Sequence, residues 1–262
     1  MKNNVKIMGV LNITPDSFYD GRENLTLENN RRAMQKVISA DIIDVGCESS
    51  RPGSKNISST EEIQRLNSFI PLIKEHPDKI FSIDTYKEDV INHALSNGFH
   101  MVNDIKAGQA SKEIFNIVAD KKSKIVLMHM QGTPETMQNN PKYDSVIETI
   151  VSFFKNRIDI AIKQGIKEDN IIIDPGIGFG KTISDNDKII RNIDKIKKIG
   201  FPVLVGISRK SFLQYKNDSP SDRLPATLGV SALLASMGVD ILRVHDVKET
   251  VAMLNSVNRI LG

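Results

Sequence analysis

Short apolar runs recur along the chain, each ending in polar or glycine residues and most followed by a stretch that could be helical. Val5–Leu11 ends at Asn12, Ile42–Val45 at Gly46-Cys47-Glu48, Ile80–Ile83 at Asp84, and Phe99–Val102 at Asn103-Asp104. Lys124–Leu127 runs into Met128-His129, and Ile171–Ile173 stops at Asp174-Pro175. Val203–Val205 ends at Gly206, and Ile241–Val244 carries Arg243 and ends at His245-Asp246. Continuous runs this short are the pattern of strands buried on both faces of a parallel sheet. Helical patterns include those from Thr26 to Ser39, from Thr60 through Ile63, Leu66 and Ile70, and from Tyr143 to Gln164. Eight such alternations in 262 residues predict an α/β fold, a single (β/α)8 TIM barrel, for which roughly 250 residues are typical. No composition shift or low-complexity linker marks a boundary, so residues 1–262 read as one domain. A doubly wound sheet with fewer strands is the alternative; short, evenly spaced runs favour closure. In a barrel the C-terminal strand ends form one face, so the unusual polar residues converge there.

The glycine-dense turn after the sixth run, Asp174-Pro-Gly-Ile-Gly-Phe-Gly-Lys181, lets the backbone take positive φ and approach a ligand closely. It matches neither nucleotide fingerprint. Pro175 stands where a P-loop needs its first glycine, and Gly176, Gly178 and Gly180 alternate instead of following the dinucleotide spacing. A net charge of +3, with no basic run interleaved with aromatics, argues against nucleic acid. No apolar stretch reaches membrane-spanning length. The lone Cys47 excludes an internal disulfide and a cysteine metal cluster, and fits a reducing, cytoplasmic setting.

Asp84 and Asp174, nearly opposite each other on the predicted ring, suit paired hydrogen bonds to an N–H-rich heterocycle, with Asn103 beside them. Alternatively each caps a helix or pairs with a lysine. Arg51, Lys210, Arg243 and His245 place positive charge at the same face, as a phosphate or pyrophosphate site would, and Arg243 offers a flat guanidinium for stacking. Lys210 is also a Schiff-base candidate. Asn12, Asp16 and Asp20 are oxygen donors suited to a hard cation, within a Thr-Pro-Asp-Ser segment that is equally a turn sequence. His129 reads as structural, Met128 and Met130 as core or pocket lining, and Cys47 as a buried thiol. Phe179, flanked by glycines on a flexible loop, is a candidate ligand contact.

Together, Gly9-Val-Leu-Asn-Ile-Thr-Pro-Asp-Ser-Phe18, Glu48-Ser-Ser-Arg-Pro-Gly53, Ser82-Ile-Asp-Thr85, Val102-Asn-Asp-Ile105 and Leu127-Met-His-Met-Gln-Gly132 closely resemble the dihydropteroate synthase family. So do Asp174 to Lys181, Gly206-Ile-Ser-Arg-Lys-Ser211 and Arg243-Val-His-Asp-Val247, so the resemblance touches all eight predicted strand ends. It implies condensation of 6-hydroxymethyl-7,8-dihydropterin diphosphate with p-aminobenzoate, inhibition by sulfonamides, Mg2+ as cofactor, and a homodimer. By the same resemblance, Asp84, Asn103, Asp174 and Lys210 hydrogen-bond the pterin, Ile105, Met128 and Gly206 line its pocket, and Arg243 stacks on it. Asp84, Asp174, Lys210 and Arg243 make up the implied catalytic set. Asn12, Arg51, Arg243 and His245 match the diphosphate site, with Asn12 at the metal. Phe18, Ser50, Arg51, Pro52, Phe179, Lys210 and Ser211 match the p-aminobenzoate side. Cys47 stands where that family usually has a second glycine, and Ser50 where threonine is usual. The rival readings are a pterin-dependent methyltransferase, a catalytically silent pterin-binding protein, and an aldolase using Lys210. The cations around Lys210 and Arg243 to His245 favour a diphosphate substrate.

Overall fold

The computed structural model describes residues 5–14, 26–48, 56–216 and 218–261. Eight parallel strands appear in chain order: β1 (Lys6–Asn12), β2 (Ile42–Gly46), β3 (Ile80–Asp84), β4 (Met101–Asp104), β5 (Lys124–Met128), β6 (Ile171–Asp174), β7 (Leu204–Gly206) and β8 (Ile241–Val244). Helices α1 (Leu27–Val37), α2 (Ser59–Asn67), α3 (Ile70–Glu75), α4 (Glu88–Ser96) and α5 (Glu113–Asp120) connect the first five strands. α6 (Val146–Lys163), α7 (Ile183–Arg191), α8 (Ile193–Lys197), α9 (Leu224–Ser236) and α10 (Val247–Leu261) follow. The hydrogen-bonded order is β6-β5-β4-β3-β2-β1-β8-β7. Ile173 on β6 bridges Val203 just ahead of β7, which joins the two ends of that order. This is the (β/α)8 barrel that the alternation of runs predicts.

Local chemistry explains the boundaries. Thr26, Ser58 and Ser145 cap α1, α2 and α6 by accepting the N–H of Asn29, Glu61 and Glu148. Each supplies a partner to an N–H that the first helical turn leaves over. Ser145 therefore starts the long helix a few residues later than its apolar pattern suggests. The pattern expected to run from Thr60 to Ile70 breaks into α2 and α3 because Pro71 sits in the first turn of α3. Proline lacks the N–H needed to continue a helix and is accommodated where one begins.

Two apolar layers hold the fold together. Between strands and helices lies a continuous sleeve that includes Phe69, Phe81, Phe115 and Phe154. Inside the ring a separate plug is built from one residue per strand: Met8, Ile42, Ile80, Met101, Val126, Ile172, Leu204 and Ile241. Burying each such side chain contributes about 1.5–3 kcal/mol before entropic costs. The plug also has a positional consequence. Side chains alternate across a strand, so positions two and four residues beyond each plug residue point inward again, towards the C-terminal mouth.

Candidate functional site

Those inward positions contain most of the chemistry. Two residues past the plug stand Asp44, Ser82, Asn103, Met128, Asp174, Gly206 and Arg243; four past it stand Asn12, Asp84, Ile105 and His245. Strand pairing brings Asp84 level with Asn103, Met128 with Asp174, and Gly206 with Arg243. The ring thus gathers residues that lie far apart in sequence.

The centre of the cluster is Arg243. Its Nε donates to Asp44 Oδ2 at 2.7 Å and its Nη2 to Asp84 Oδ2 at 2.6 Å. Asn103 Nδ2 donates to the same Asp44 oxygen at 2.9 Å. Burial pulls the Arg243 pKa down, but Asp44 and Asp84 outweigh it and hold the guanidinium charged. Burial raises the Asp84 pKa; Arg243 opposes that shift, and the like charge of Asp44 adds to it. Asp44 is missing from the residues expected from sequence, because it falls inside a run otherwise read as apolar. The signal that would find it is a fully buried acid two residues past the plug residue Ile42. Asp84, expected at the pterin, and Arg243, expected at both the pterin and the diphosphate, form one ion pair.

Asp174 ends β6 and accepts the Gly176 N–H at 2.7 Å. Burial raises its pKa, while Lys210 opposes the shift. Lys210 lies over the glycine loop. Its Nζ donates to the Ile177 carbonyl and sits 4.6 Å from the centre of the Phe179 ring. Burial lowers its pKa to about 8, with Asp174 resisting. The glycine loop is less free than its composition suggests. Gln138 and Tyr143 donate to the carbonyls of Gly178 and Gly180, and Asn186 accepts the Gly178 N–H. Lys181 Nζ, buried, donates to the carbonyls of Phe179 at 2.8 Å and His129 at 3.1 Å. Positive φ at Gly176 and Gly180 permits close backbone contact: an added Cβ would lie 2.0 Å from the His129 oxygen or 2.3 Å from that of Gln131. Phe179 is half-buried on this pinned loop.

At the rim, His245 Nδ1 is 3.0 Å from Ser208 Oγ, and Ser211, itself exposed, opens a short helical turn. Ile105 and Met128 are buried wall residues, and Gly206 leaves room beside Arg243. Cys47 is buried and its thiol pKa is raised, chiefly by burial, in keeping with an inert thiol. His129 is also buried, its pKa lowered to about 3 by burial and by Lys181, in keeping with a structural role. Phe18, Ser50, Arg51 and Pro52, together with Asp16 and Asp20, lie outside the described residues. Among the described residues no group of three or more His, Cys, Asp or Glu side chains is arranged to hold a metal. Asn12 presents an amide oxygen at the mouth. A Cβ added at Gly46 would lie 3.1 Å from its Oδ1 and 3.8 Å from Asp84 Oδ2, so the missing side chain keeps that space open.

Residues 8–245 match the family model described as pterin binding enzyme. A dihydropteroate synthase from Synechocystis is 40% identical over 246 residues, covering 92% of this chain and 85% of the relative. Among solved structures, dihydropteroate synthase from Clostridium difficile, determined with pteroic acid, superposes with a TM-score of 0.89 at 37% identity, covering 99% of this chain and 97% of that one. The Yersinia pestis dihydropteroate synthase in complex with a sulfonamide drug superposes at 0.91 with 34% identity, covering 100% and 96%.

Proposed function

Because the chain belongs to the dihydropteroate synthase family of pterin-binding enzymes, we propose that it condenses 6-hydroxymethyl-7,8-dihydropterin diphosphate with p-aminobenzoate. The products are 7,8-dihydropteroate and pyrophosphate, a step of folate biosynthesis. The observation that carries this reading is the convergence of Asp84, Asn103, Asp174, Lys210 and Arg243 in one barrel mouth. Asp84, Asn103, Asp174 and Lys210 bind the pterin, Ile105, Met128 and Gly206 wall its pocket, and Arg243 presents its flat guanidinium to the ring. Asn12, His245 and Arg243 take the diphosphate with Arg51. Phe179, Lys210 and Ser211 take p-aminobenzoate, together with Phe18, Ser50, Arg51 and Pro52.

The reaction breaks the bond from the pterin methylene carbon to the diphosphate oxygen, and the electron pair leaves with pyrophosphate. Positive charge then spreads over the pterin, where Asp84 and Asp174 stabilise it in a site of low dielectric. The aniline nitrogen forms the new C–N bond and loses a proton to pyrophosphate or water. An aniline needs no strong base for this, which fits a site without a nucleophile–base pair among its assigned residues. Excluding water protects the cation from capture as the alcohol.

Mg2+ fits the donors at hand. It binds through few protein oxygens together with substrate phosphates and water, and the Asn12 amide oxygen beside the open space at Gly46 is such a donor. When bound there it would neutralise charge on the leaving diphosphate. A homodimer and a cytoplasmic location are part of the proposal. In support of the dimer, α9 is apolar on nearly every side, yet Leu233 is 50% exposed; sedimentation as a monomer would refute it. Among the described residues no helix is long and apolar enough to cross a membrane.

The test is pyrophosphate release and dihydropteroate formation from the two substrates, with and without Mg2+, for the wild type and Asp84→Asn. The expected result is Mg2+-dependent product that falls at least about a hundredfold in the variant. Pterin binding with no product under any condition would overturn the proposal in favour of a methyltransferase or a silent binder.

A further inference from the structure

Beyond the last paired residues of β7 and β8, Gly206 with Arg243, side chains carry the register onward. Two residues further along each segment, Ser208 Oγ accepts the His245 backbone N–H at 3.2 Å and lies 3.0 Å from its Nδ1. One residue on, the Arg209 guanidinium grips Asp246 with two bonds: Nε donates to Oδ2 at 2.9 Å and Nη2 to Oδ1 at 2.5 Å. The Arg209 backbone is held as well. Its N–H donates to Thr227 Oγ1 at 3.0 Å, and its carbonyl accepts from Arg223 Nη1 at 3.1 Å. Arg223 is itself paired with Asp218 at 3.1 Å. The Asp246 carbonyl accepts the Thr250 N–H at 3.0 Å and its hydroxyl at 2.7 Å, so the gripped end is continuous with the first turn of α10.

Arginine is an unusual residue for this turn. The Lys210 N–H closes the turn on the Ile207 carbonyl, and Arg209, with φ at 58°, lies in the left-handed region. Glycine or asparagine enters that region with less strain. Stability is not a sufficient reason either, because the Arg209 side chain is 35% exposed and ion pairs screened by water contribute little. What a bidentate guanidinium–carboxylate pair adds is geometry, since its two parallel bonds fix both direction and spacing. Here it fixes the turn after β7 against the turn after β8, one residue from the contact between Ser208 and His245.

We propose that Arg209 is a positioning residue: through Asp246 it locks the turn after β7 to the turn after β8, and so holds His245 against Ser208 where the diphosphate binds. This rests on the assignment of His245 to the diphosphate made above. Lys210, the next residue, has its own anchor on the Ile177 carbonyl. Loss of the lock therefore weakens the diphosphate contact and leaves the p-aminobenzoate side as it was.

The test compares Arg209→Asn, Asp246→Asn and the double variant, and repeats Arg209→Asn in a His245→Ala background. Asparagine tolerates positive φ, and the double variant removes one charge of each sign, so neither backbone strain nor an unpaired charge obscures the result. The readouts are KM for each substrate and hydrogen exchange across residues 206–211 and 244–248. The double variant is expected to fold, to raise KM for the pterin diphosphate about tenfold, the scale of one charge-assisted hydrogen bond, and to leave KM for p-aminobenzoate within about twofold. Each single variant should give a similar rise, because losing either partner opens the lock. Exchange should accelerate in both segments, and Arg209→Asn should add nothing once His245 is alanine. A full further rise in that background would overturn the proposal, since Arg209 would then act on the diphosphate directly. So would a parallel rise in both KM values, unchanged exchange, or failure of the charge-balanced double variant to fold, which would make the pair a stability element. His245→Ala alone separates the two layers of the argument. If it leaves KM for the pterin diphosphate unchanged while exchange still accelerates without Arg209, the assignment of His245 fails and the lock between the turns stands.

Discussion

Replacing Asp44 tests whether Arg243 is held in place by the residue hidden inside β2. Asp44 is fully buried, and a single oxygen, Oδ2, accepts from both Arg243 and Asn103. Among the described residues its Oδ1 has no hydrogen-bond partner. Asparagine can therefore place its carbonyl at the shared position, keep both hydrogen bonds, and put its NH2 where Oδ1 was. What disappears is the charge. Bonds to charged groups contribute about 1.5–3 kcal/mol and neutral ones about 0.5–1.5, so Asp44→Asn should cost about 2 kcal/mol. For a chain of this size that lowers Tm by about 4–8 °C. Asp44→Ala removes the acceptor altogether and leaves Arg243 with Asp84 alone, so its cost should approach the 3–5 kcal/mol typical of a broken buried pair, about twice as large. A second effect is electrostatic. The charge of Asp44 helps to raise the Asp84 pKa, so in Asp44→Asn the Asp84 pKa falls and the acid limb of turnover moves to lower pH. Calorimetry and a pH–rate profile read both effects. Equal melting shifts for the two variants, or an acid limb that does not move, would refute the claim that Asp44 sets the state of Arg243 and Asp84.

Gly176→Ala should prevent soluble folding or lower Tm far more than Gly200→Ala, because its Cβ would meet the His129 oxygen at 2.0 Å whereas nothing lies within 4 Å at Gly200. Both have positive φ, so Gly200→Ala measures the conformational cost alone, about 1–2 kcal/mol; equal losses in thermal melts would contradict the packing argument. Burial lowers the Lys181 pKa from 10.5 to about 7. A depressed folded pKa means that its stability contribution is complete above about 10.5 and is lost as pH falls towards about 7. Lys181→Met should flatten the rise in stability between about pH 7 and 10, measured by denaturant unfolding. The same slope in both proteins would show that the amine does not titrate in this window.

The barrel and much of its mouth were legible because two local regularities coincide. Buried parallel strands appear as short apolar runs, and strand-end residues of a barrel share one face. Asp84, Asn103, Asp174, Lys210 and His245 stand out for that reason, as polar residues at or beyond the ends of runs. Asp44 did not stand out, since attention to run ends overlooks an acid in mid-strand. The inward period of two, counted from the plug residue Ile42, would have found it. The pairing of Arg209 with Asp246 carried no such signal: in loops, charged residues ordinarily face water.

The sequence by itself determined the order of elements, their capping at Thr26, Ser58 and Ser145, and the turn after Asp174. These depend on interactions between residues close along the chain. Only the tertiary structure decided the Arg243 ion pairs with Asp44 and Asp84 and the pinning of the glycine loop by Lys181. Each joins segments brought together by closure of the ring. Each is also buried, where low dielectric and scarce water give a charged contact a strength that its residue type alone does not reveal.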